Sequence, residues 1–168
     1  MHFARSSLFL VIALMASRAD AFEKGTTLPL PELVEANRFT LNPLSPQEET
    51  RVVIFYYTAS WCAPCKQVSA ALSSAYEDLI KKSKNLEFIT YSVDQSPRAR
   101  ADYLRETAFD WPAISPEVID KKPWLTKIDG GTPQFQAFEV KDGTLTALTS
   151  PGNSQEVFPV AFERLAEL

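Results

Sequence analysis

The feature that most constrains this chain is the stretch YTASWCAPCK, residues 57–66, which holds its only two cysteines. Cys62 and Cys65 lie three positions apart and directly follow the apolar run RVVIFYYT, residues 51–58. A continuous apolar and β-branched run predicts a central strand that is covered on both faces. The cysteines therefore fall where a buried strand is expected to turn into a helix.

This position and spacing suit thiol–disulfide exchange. The first turn of a helix offers unpaired backbone N–H groups and the positive end of the helix dipole, which lower the pKa of a thiol such as that of Cys62. Cys65 lies one helical turn further on and on the same side, within reach of a disulfide. Cys62 would attack a disulfide of the partner, and Cys65 would then displace the partner. Trp61 would offer an apolar contact to a docking peptide, and Pro64 would stiffen the first turn.

The N-terminal residues 1–21, MHFARSSLFLVIALMASRADA, have the three-part pattern of a secretory signal peptide. Arg5 gives a basic start, an apolar run follows, and small residues precede a predicted cut after Ala21. The apolar run, residues 8–16, is nine residues long, about half of what a membrane-spanning helix needs. We therefore expect cleavage after Ala21, with a cut after Ala19 as an alternative, no stable membrane insertion of the mature protein, and a periplasmic or secreted location. An uncleaved membrane anchor is the other interpretation, which the shortness of the apolar run disfavours.

Loss of that segment excludes several kinds of site. The only histidine, His2, and both methionines lie within residues 1–21. Zinc would need about four good ligands, and a Cys–His or Ser–His nucleophile has no histidine left to use. Copper delivery through the thiol pair would lack supporting histidine or methionine ligands. We expect no metal and no cofactor, and the net charge of -4 argues against nucleic acid as a partner.

One α/β domain is predicted over residues 51–168, after an irregular lead-in over residues 22–50 that holds a short strand near Arg38–Leu41. Apolar residues at helical spacing predict an amphipathic helix from Cys65 to about Lys82. The apolar segment LEFITYSVD, residues 86–94, predicts a second buried strand.

The C-terminal half carries signals for helix ends and for a hairpin. Ser96 as N-cap and Pro97 at the first position predict the start of another helix. The Asp142-Gly143 pair between two β-rich segments predicts a hairpin. Pro159 is expected in the first turn of a last helix. The order strand, helix, strand, helix, long loop, hairpin, helix predicts an α/β three-layer sandwich.

The motif WCAPCK after an apolar strand resembles the active-site motif of thioredoxin, and the likeness runs from about Arg51 to the C-terminus. The resemblance implies a thioredoxin-like α/β/α sandwich with a central mixed sheet, in which Cys62 and Cys65 form the redox-active disulfide. It also implies that the Thr132–Pro133 peptide bond is cis, faces the cysteines, and lets the backbone of Thr132 pair with a substrate peptide. An ordinary trans proline at the start of a strand is the alternative.

A second stretch narrows the resemblance. The segment FITYSVDQSPRARADYLRETAFDWPAI, residues 88–114, is similar to the tryparedoxin and nucleoredoxin branch, and exported bacterial thioredoxin-like proteins share this layout. One departure matters: thioredoxin proper buries an aspartate in the strand before the motif, and Tyr56 stands there. We interpret Tyr56 as a core residue and Lys66 as an exposed helical lysine. The proton acceptor for Cys65 is left open among water, Lys66 and nearby glutamates.

Three other residues have open roles. Trp111 and Trp124 are interpreted as anchors that pin a Pro-rich connection to the core, with a docking surface as the alternative. Asp94, at the end of the second strand, is expected to cap the turn that follows it.

These observations lead to one main hypothesis. We expect an exported, monomeric thiol–disulfide oxidoreductase that acts on protein thiols and disulfides together with an unidentified redox partner. Ala63 and Pro64 between the cysteines resemble the reducing thioredoxin type, which favours a reductase. The alternative is a binding module that uses the same scaffold with a static disulfide. A three-residue loop restrains the unfolded chain very little, which favours a reactive cysteine pair.

Overall fold

The computed structural model describes residues 24–25, 27–29, 50–79, 83, 85–116, 119 and 131–168. The predicted signal peptide, the predicted strand near Arg38–Leu41 and Trp124 lie outside the described residues. Among the residues described, no helix is long and apolar enough to cross a membrane.

Five strands and three helices have defined bounds within these residues. They are β1 (Thr27–Pro29), β2 (Val52–Thr58), α1 (Ala63–Leu79), β3 (Leu86–Ser92), α2 (Pro97–Thr107), β4 (Gln134–Lys141), β5 (Thr144–Ala147) and α3 (Ser154–Ala166). The strands lie in the order β1-β5-β4-β2-β3. Strands β2 and β3 are parallel, and every other neighbouring pair is antiparallel. The mixed sheet with its helices confirms the predicted fold class.

Strand β2 lies between β4 and β3 in the sheet, and all seven of its residues are buried. Val53, Phe55 and Tyr57 pack into the core on one face. Ile54 and Tyr56 pack into the core on the other face, where residues of α1 and α3 meet them. The unbroken apolar run of the sequence therefore reflects burial on both faces, as predicted.

Strand β3 ends at Ser92, two residues before the predicted end at Asp94. The N–H of Val93 still donates to the carbonyl oxygen of Thr58, at 2.8 Å. After that bond the chain turns away, because Asp94 bonds to Ser60 and Ser92 through its side chain instead of extending the ladder.

The hairpin between β4 and β5 forms where the Asp-Gly pair predicts it. Lys141 and Thr144 are paired across the two strands. Asp142 and Gly143 have φ values of 49° and 72°. Two consecutive positive φ angles are the geometry of a type I′ turn, which Asp-Gly tolerates better than most pairs.

The prediction that Pro159 lies in the first turn of the last helix is wrong. Asn153 caps that helix by accepting from the N–H groups of Gln155 and Glu156, and Glu156 bonds back to the Asn153 N–H. This capping box starts α3 at Ser154, so Pro159 lies inside the helix on its exposed side. The lead-in also holds an unpredicted strand, because β1 pairs with β5.

Candidate active site

The two cysteines lie at the junction between β2 and α1. The N–H of Cys62 donates to the carbonyl oxygen of Ala59 at 3.2 Å, which closes a turn directly before α1. Helix α1 begins at Ala63, two residues earlier than predicted. Cys65 therefore lies in its first turn, and the two cysteines form a disulfide with a Cα–Cα distance of 5.2 Å. The spacing brings the sulfurs together as predicted.

The sulfur of Cys62 lies against the N-terminal amides of α1. The N–H of Cys65 donates to the Cys62 sulfur at 3.1 Å. In the reduced protein the same donor would favour a thiolate at Cys62 over a neutral thiol, because amide hydrogen bonds stabilise the charged form.

The two cysteines differ in how far solvent reaches them. Cys62 is 3% exposed in the disulfide form, and Cys65 is completely buried. Trp61, by contrast, is 66% exposed, and Ala63 and Pro64 are also exposed. Cys62 is thus nearly covered and Cys65 fully covered in the disulfide form, and the residues next to Cys62 in the chain are exposed.

The loop before β4 faces the disulfide. The Thr132–Pro133 peptide bond is cis, as the resemblance implied. The carbonyl oxygen of Thr132 lies 3.4 Å from the Cys62 sulfur. The backbone of Thr132 therefore lies next to the Cys62 sulfur, the atom that would react with a substrate. This position is compatible with the predicted pairing between the Thr132 backbone and a substrate peptide.

Tyr56 does more than fill the core. Its hydroxyl donates to the carbonyl oxygen of Cys65 at 3.0 Å and also lies 3.0 Å from the hydroxyl of Ser69. Burial raises the pKa of the Tyr56 hydroxyl above its usual value, so it is neutral at neutral pH. The sequence shows only that a tyrosine lies six positions before Cys62. Its hydrogen-bond partners, Cys65 and Ser69, become apparent only when β2 packs against α1.

Asp94 also has a different role from the predicted one. Its carboxylate accepts from the Ser60 N–H at 3.1 Å, from the Ser60 hydroxyl at 2.7 Å and from the Ser92 hydroxyl at 2.8 Å. Asp94 therefore caps the turn that precedes Cys62 in the chain, and not the turn that follows Asp94. Sequence reasoning missed this contact because it joins residues 34 positions apart.

Trp111 is a core residue, as interpreted. It is 2% exposed, and its ring N–H donates to the hydroxyl of Thr90 at 2.7 Å. Its ring packs against those of Tyr76 and Phe109. A docking role for Trp111 is therefore excluded. Lys66 is exposed, in agreement with its interpretation.

Metal ligation has no support in the part of the chain that the structure describes, where no group of three or more His, Cys, Asp or Glu residues could hold an ion. The arrangement is that of a cysteine pair at a helix N-terminus, in which Cys62 is 3% exposed and Cys65 is completely buried. Such a pair can carry redox chemistry in general.

The sequence is similar to those of known thioredoxin-like proteins. A protein-family model described as "Thioredoxin-like" matches residues 49–127. A probable nucleoredoxin 3 of Oryza sativa subsp. japonica is 30% identical over 97 residues, which cover 54% of this chain and 20% of that protein. Human nucleoredoxin is 30% identical over 59 residues, which cover 35% of this chain and 13% of that protein. This chain thus spans about a fifth or less of the length of these relatives.

Comparison with solved structures supports the fold. Tryparedoxin II from C. fasciculata superposes with a TM-score of 0.56 at 22% identity, over 77% of this chain and 87% of that chain. Tryparedoxin from Trypanosoma brucei superposes with a TM-score of 0.53 at 19% identity, over 73% and 87%. At these identities the likeness establishes the fold and nothing finer.

Proposed function

We propose that this chain, whose residues 49–127 match a thioredoxin-like family model, is a thiol–disulfide oxidoreductase acting on protein disulfides. The observation that carries the proposal is the asymmetry of the cysteine pair. Cys62 has a small exposed fraction and receives the Cys65 N–H on its sulfur, whereas Cys65 is sealed. A purely static disulfide needs neither the amide on one sulfur nor the difference in access.

The proposed reaction has two exchange steps. In the first, the thiolate of Cys62 attacks one sulfur of a partner disulfide, a mixed disulfide forms, and the second partner sulfur leaves as a thiolate. In the second, Cys65 loses its proton and attacks the Cys62 sulfur, which releases the first partner sulfur. The cysteine pair is oxidised by two electrons, and the partner disulfide is reduced to a dithiol.

The proton of Cys65 needs an acceptor in the second step. The hydroxyl of Tyr56 bonds to the backbone carbonyl of Cys65, but burial raises its pKa and keeps it protonated at neutral pH, so it does not act as the base. The partner thiolate that leaves in the first step is a base that the reaction itself supplies. Tyr56 instead fixes the backbone from which Cys65 attacks.

Substrate recognition in this proposal uses the exposed residues around Cys62. Trp61, Ala63 and Pro64 present an apolar rim. The carbonyl oxygen of Thr132 lies 3.4 Å from the Cys62 sulfur. In this proposal the Thr132 backbone binds an extended peptide. An extended segment that carries a disulfide would pair with this backbone and place its sulfur at Cys62.

The proposal includes reduction as the working direction and export as the setting. Ala63 and Pro64 between the cysteines support reduction, and the signal-like pattern of residues 1–21 supports export. An exported reductase needs a redox partner that supplies electrons. Equilibration with glutathione measures the reduction potential of the cysteine pair. A value of about -120 mV, typical of a strong oxidant, would contradict reduction as the working direction. N-terminal sequencing of the mature protein tests export, and an intact residue 1 would contradict cleavage.

The activity is tested by reduction of insulin disulfides with dithiothreitol as electron source. We expect turnover from the unaltered protein and background rates from Cys62→Ser. Ser74→Ala, which alters an exposed helical serine bonded to Ala70, is the matched control and keeps full activity. Equal, background rates in the unaltered protein and Cys62→Ser would favour a binding module with a static disulfide.

A further inference from the structure

We propose that Asp94 and Ser60 are positioning residues that hold the turn carrying Cys62 in its reactive geometry. The inference rests on the proposed function and deepens it, because it identifies what keeps the nucleophile in place. Neither residue touches the reacting sulfurs in the contacts described above. Their effect passes through the backbone of the turn, residues 59–62.

The contact between the two residues is double. Asp94 accepts both from the backbone N–H of Ser60, at 3.1 Å, and from its hydroxyl, at 2.7 Å. Two bonds from one residue to one carboxylate fix orientation as well as distance. Hydrogen bonds to an ionised acceptor are also stronger than those between neutral groups.

Asp94 is itself held from two other elements. The hydroxyl of Ser92, at the end of β3, donates to its carboxylate at 2.8 Å. The Nε–H of Arg100, in α2, donates to its backbone carbonyl at 2.7 Å. Asp94 is 2% exposed and Arg100 is 5% exposed, so the carboxylate is fixed inside the protein while Ser60 lies at the surface. The turn is thus anchored to β3 and α2, and not only to the strand from which it emerges.

The position of Ser60 makes this anchor important for the nucleophile. Ser60 stands two residues before Cys62, inside the turn that the Cys62 N–H closes onto Ala59. The Cys62 sulfur must keep its place against the Cys65 N–H, at 3.1 Å, and opposite the Thr132 carbonyl, at 3.4 Å. A shift of about 1 Å in a reacting group costs a large factor in rate. Loss of the anchor lets the turn move and takes the sulfur away from the amide that stabilises its thiolate.

The test measures the reactivity of Cys62 directly. In a Cys65→Ser background the reduced protein has one thiol, whose alkylation by iodoacetamide is followed at pH 7. We expect Ser60→Ala to slow alkylation roughly tenfold, equivalent to about 1.4 kcal/mol. Ser60→Thr, which keeps the hydroxyl, restores the rate, and Ser74→Ala leaves it unchanged. The thermal midpoint of Ser60→Ala is expected to fall little, because Ser60 is exposed.

Coupling between the two residues completes the test. In an Asp94→Asn background the anchor is already weakened, so Ser60→Ala should slow alkylation by much less than it does alone. Wild-type alkylation rates in Ser60→Ala, or failure of Ser60→Thr to restore the rate, would overturn the proposal. If Asp94→Asn does not fold, the Ser60 series decides by itself. A slowed Ser60→Ala in a protein that does not reduce insulin would retain the positioning role and reject the proposed function.

Discussion

Trp61 is the largest exposed side chain beside Cys62, and its 66% exposure means that folding gains little from it. If it serves docking, Trp61→Ala should lower kcat/KM for insulin by about tenfold and change the free energy of unfolding by less than about 0.5 kcal/mol. The reason is that an aromatic contact forms only when a protein substrate is bound. Insulin reduction and urea unfolding of the same preparation measure both quantities.

Phe162 provides the control for that substitution. It is the other exposed aromatic of the described residues, 44% exposed on α3, where it packs against Phe158. Phe162→Ala should lower stability modestly and leave kcat/KM unchanged. A kcat/KM that drops equally in both variants would show that Trp61 acts through general packing and not through docking.

At the scale of the elements, α2 ends on an unusual residue. Ala108 forms its C-cap in the left-handed region, with φ of 46° and ψ of 55°, and its N–H bonds back to Leu104. A side chain in this region costs about 1 kcal/mol, which glycine avoids. Ala108→Gly should therefore raise the free energy of unfolding by about 0.5 kcal/mol, once the greater freedom of glycine in the unfolded chain is subtracted. Urea denaturation measures the change.

A second glycine substitution in the same helix tests that argument. Ala101 lies inside α2, where helical φ angles give glycine no advantage. Ala101→Gly should lower the free energy of unfolding by about 1 kcal/mol. Opposite signs for the two variants support the left-handed cap, and equal losses would contradict it.

The helix ends also illustrate what local sequence can predict. Ser96 and Pro97 begin α2 as expected, because a cap needs only neighbours along the chain. Pro159 led to a wrong start for α3, because Asn153 and Glu156 form a capping box further upstream. The capping box and the proline both predict a helix start. The capping box determines where α3 begins, because it provides acceptors for the N–H groups of the first turn.

At the scale of the whole molecule, β2 carries two tyrosines whose side chains are completely buried. Tyr57 donates to Gln136 at 2.9 Å, and burial raises its pKa well above the usual value; burial likewise raises the pKa of Tyr56. In the unfolded chain both would ionise near pH 10. The folded state then holds more protons than the unfolded state, so stability is fully present below about pH 10 and falls as the pH rises further.

This dependence can be measured by urea unfolding between pH 8 and pH 11. Each tyrosine that ionises only on unfolding should lower the free energy of unfolding by about 1.4 kcal/mol per pH unit above pH 10. Tyr57→Phe should reduce that slope by one such contribution, although it costs stability at every pH through the lost bond to Gln136. An unchanged slope in Tyr57→Phe would show that Tyr57 ionises in the folded protein.

Much of the molecule followed from the sequence alone. The apolar run that forms β2, the hairpin at Asp142-Gly143 and the helix after Ser96 depend on periodicity and on contacts between near neighbours. The proximity of the two cysteines was also predictable, because a helix that starts directly after Cys62 brings Cys65, three positions further on, to the same side. Local geometry determines these features, so a single sequence is enough to predict them without comparison to related sequences.

Only the tertiary structure decided which buried side chains support the cysteines. Asp94 reaches Ser60 across 34 positions, and Tyr56 lies beneath Cys65 because β2 packs under α1. The difference in access between the two sulfurs arises in the same way, from chain segments that meet only after folding. Such contacts carry no periodic signal, since hydrogen bonds and burial depend on distance in space and not on distance along the chain.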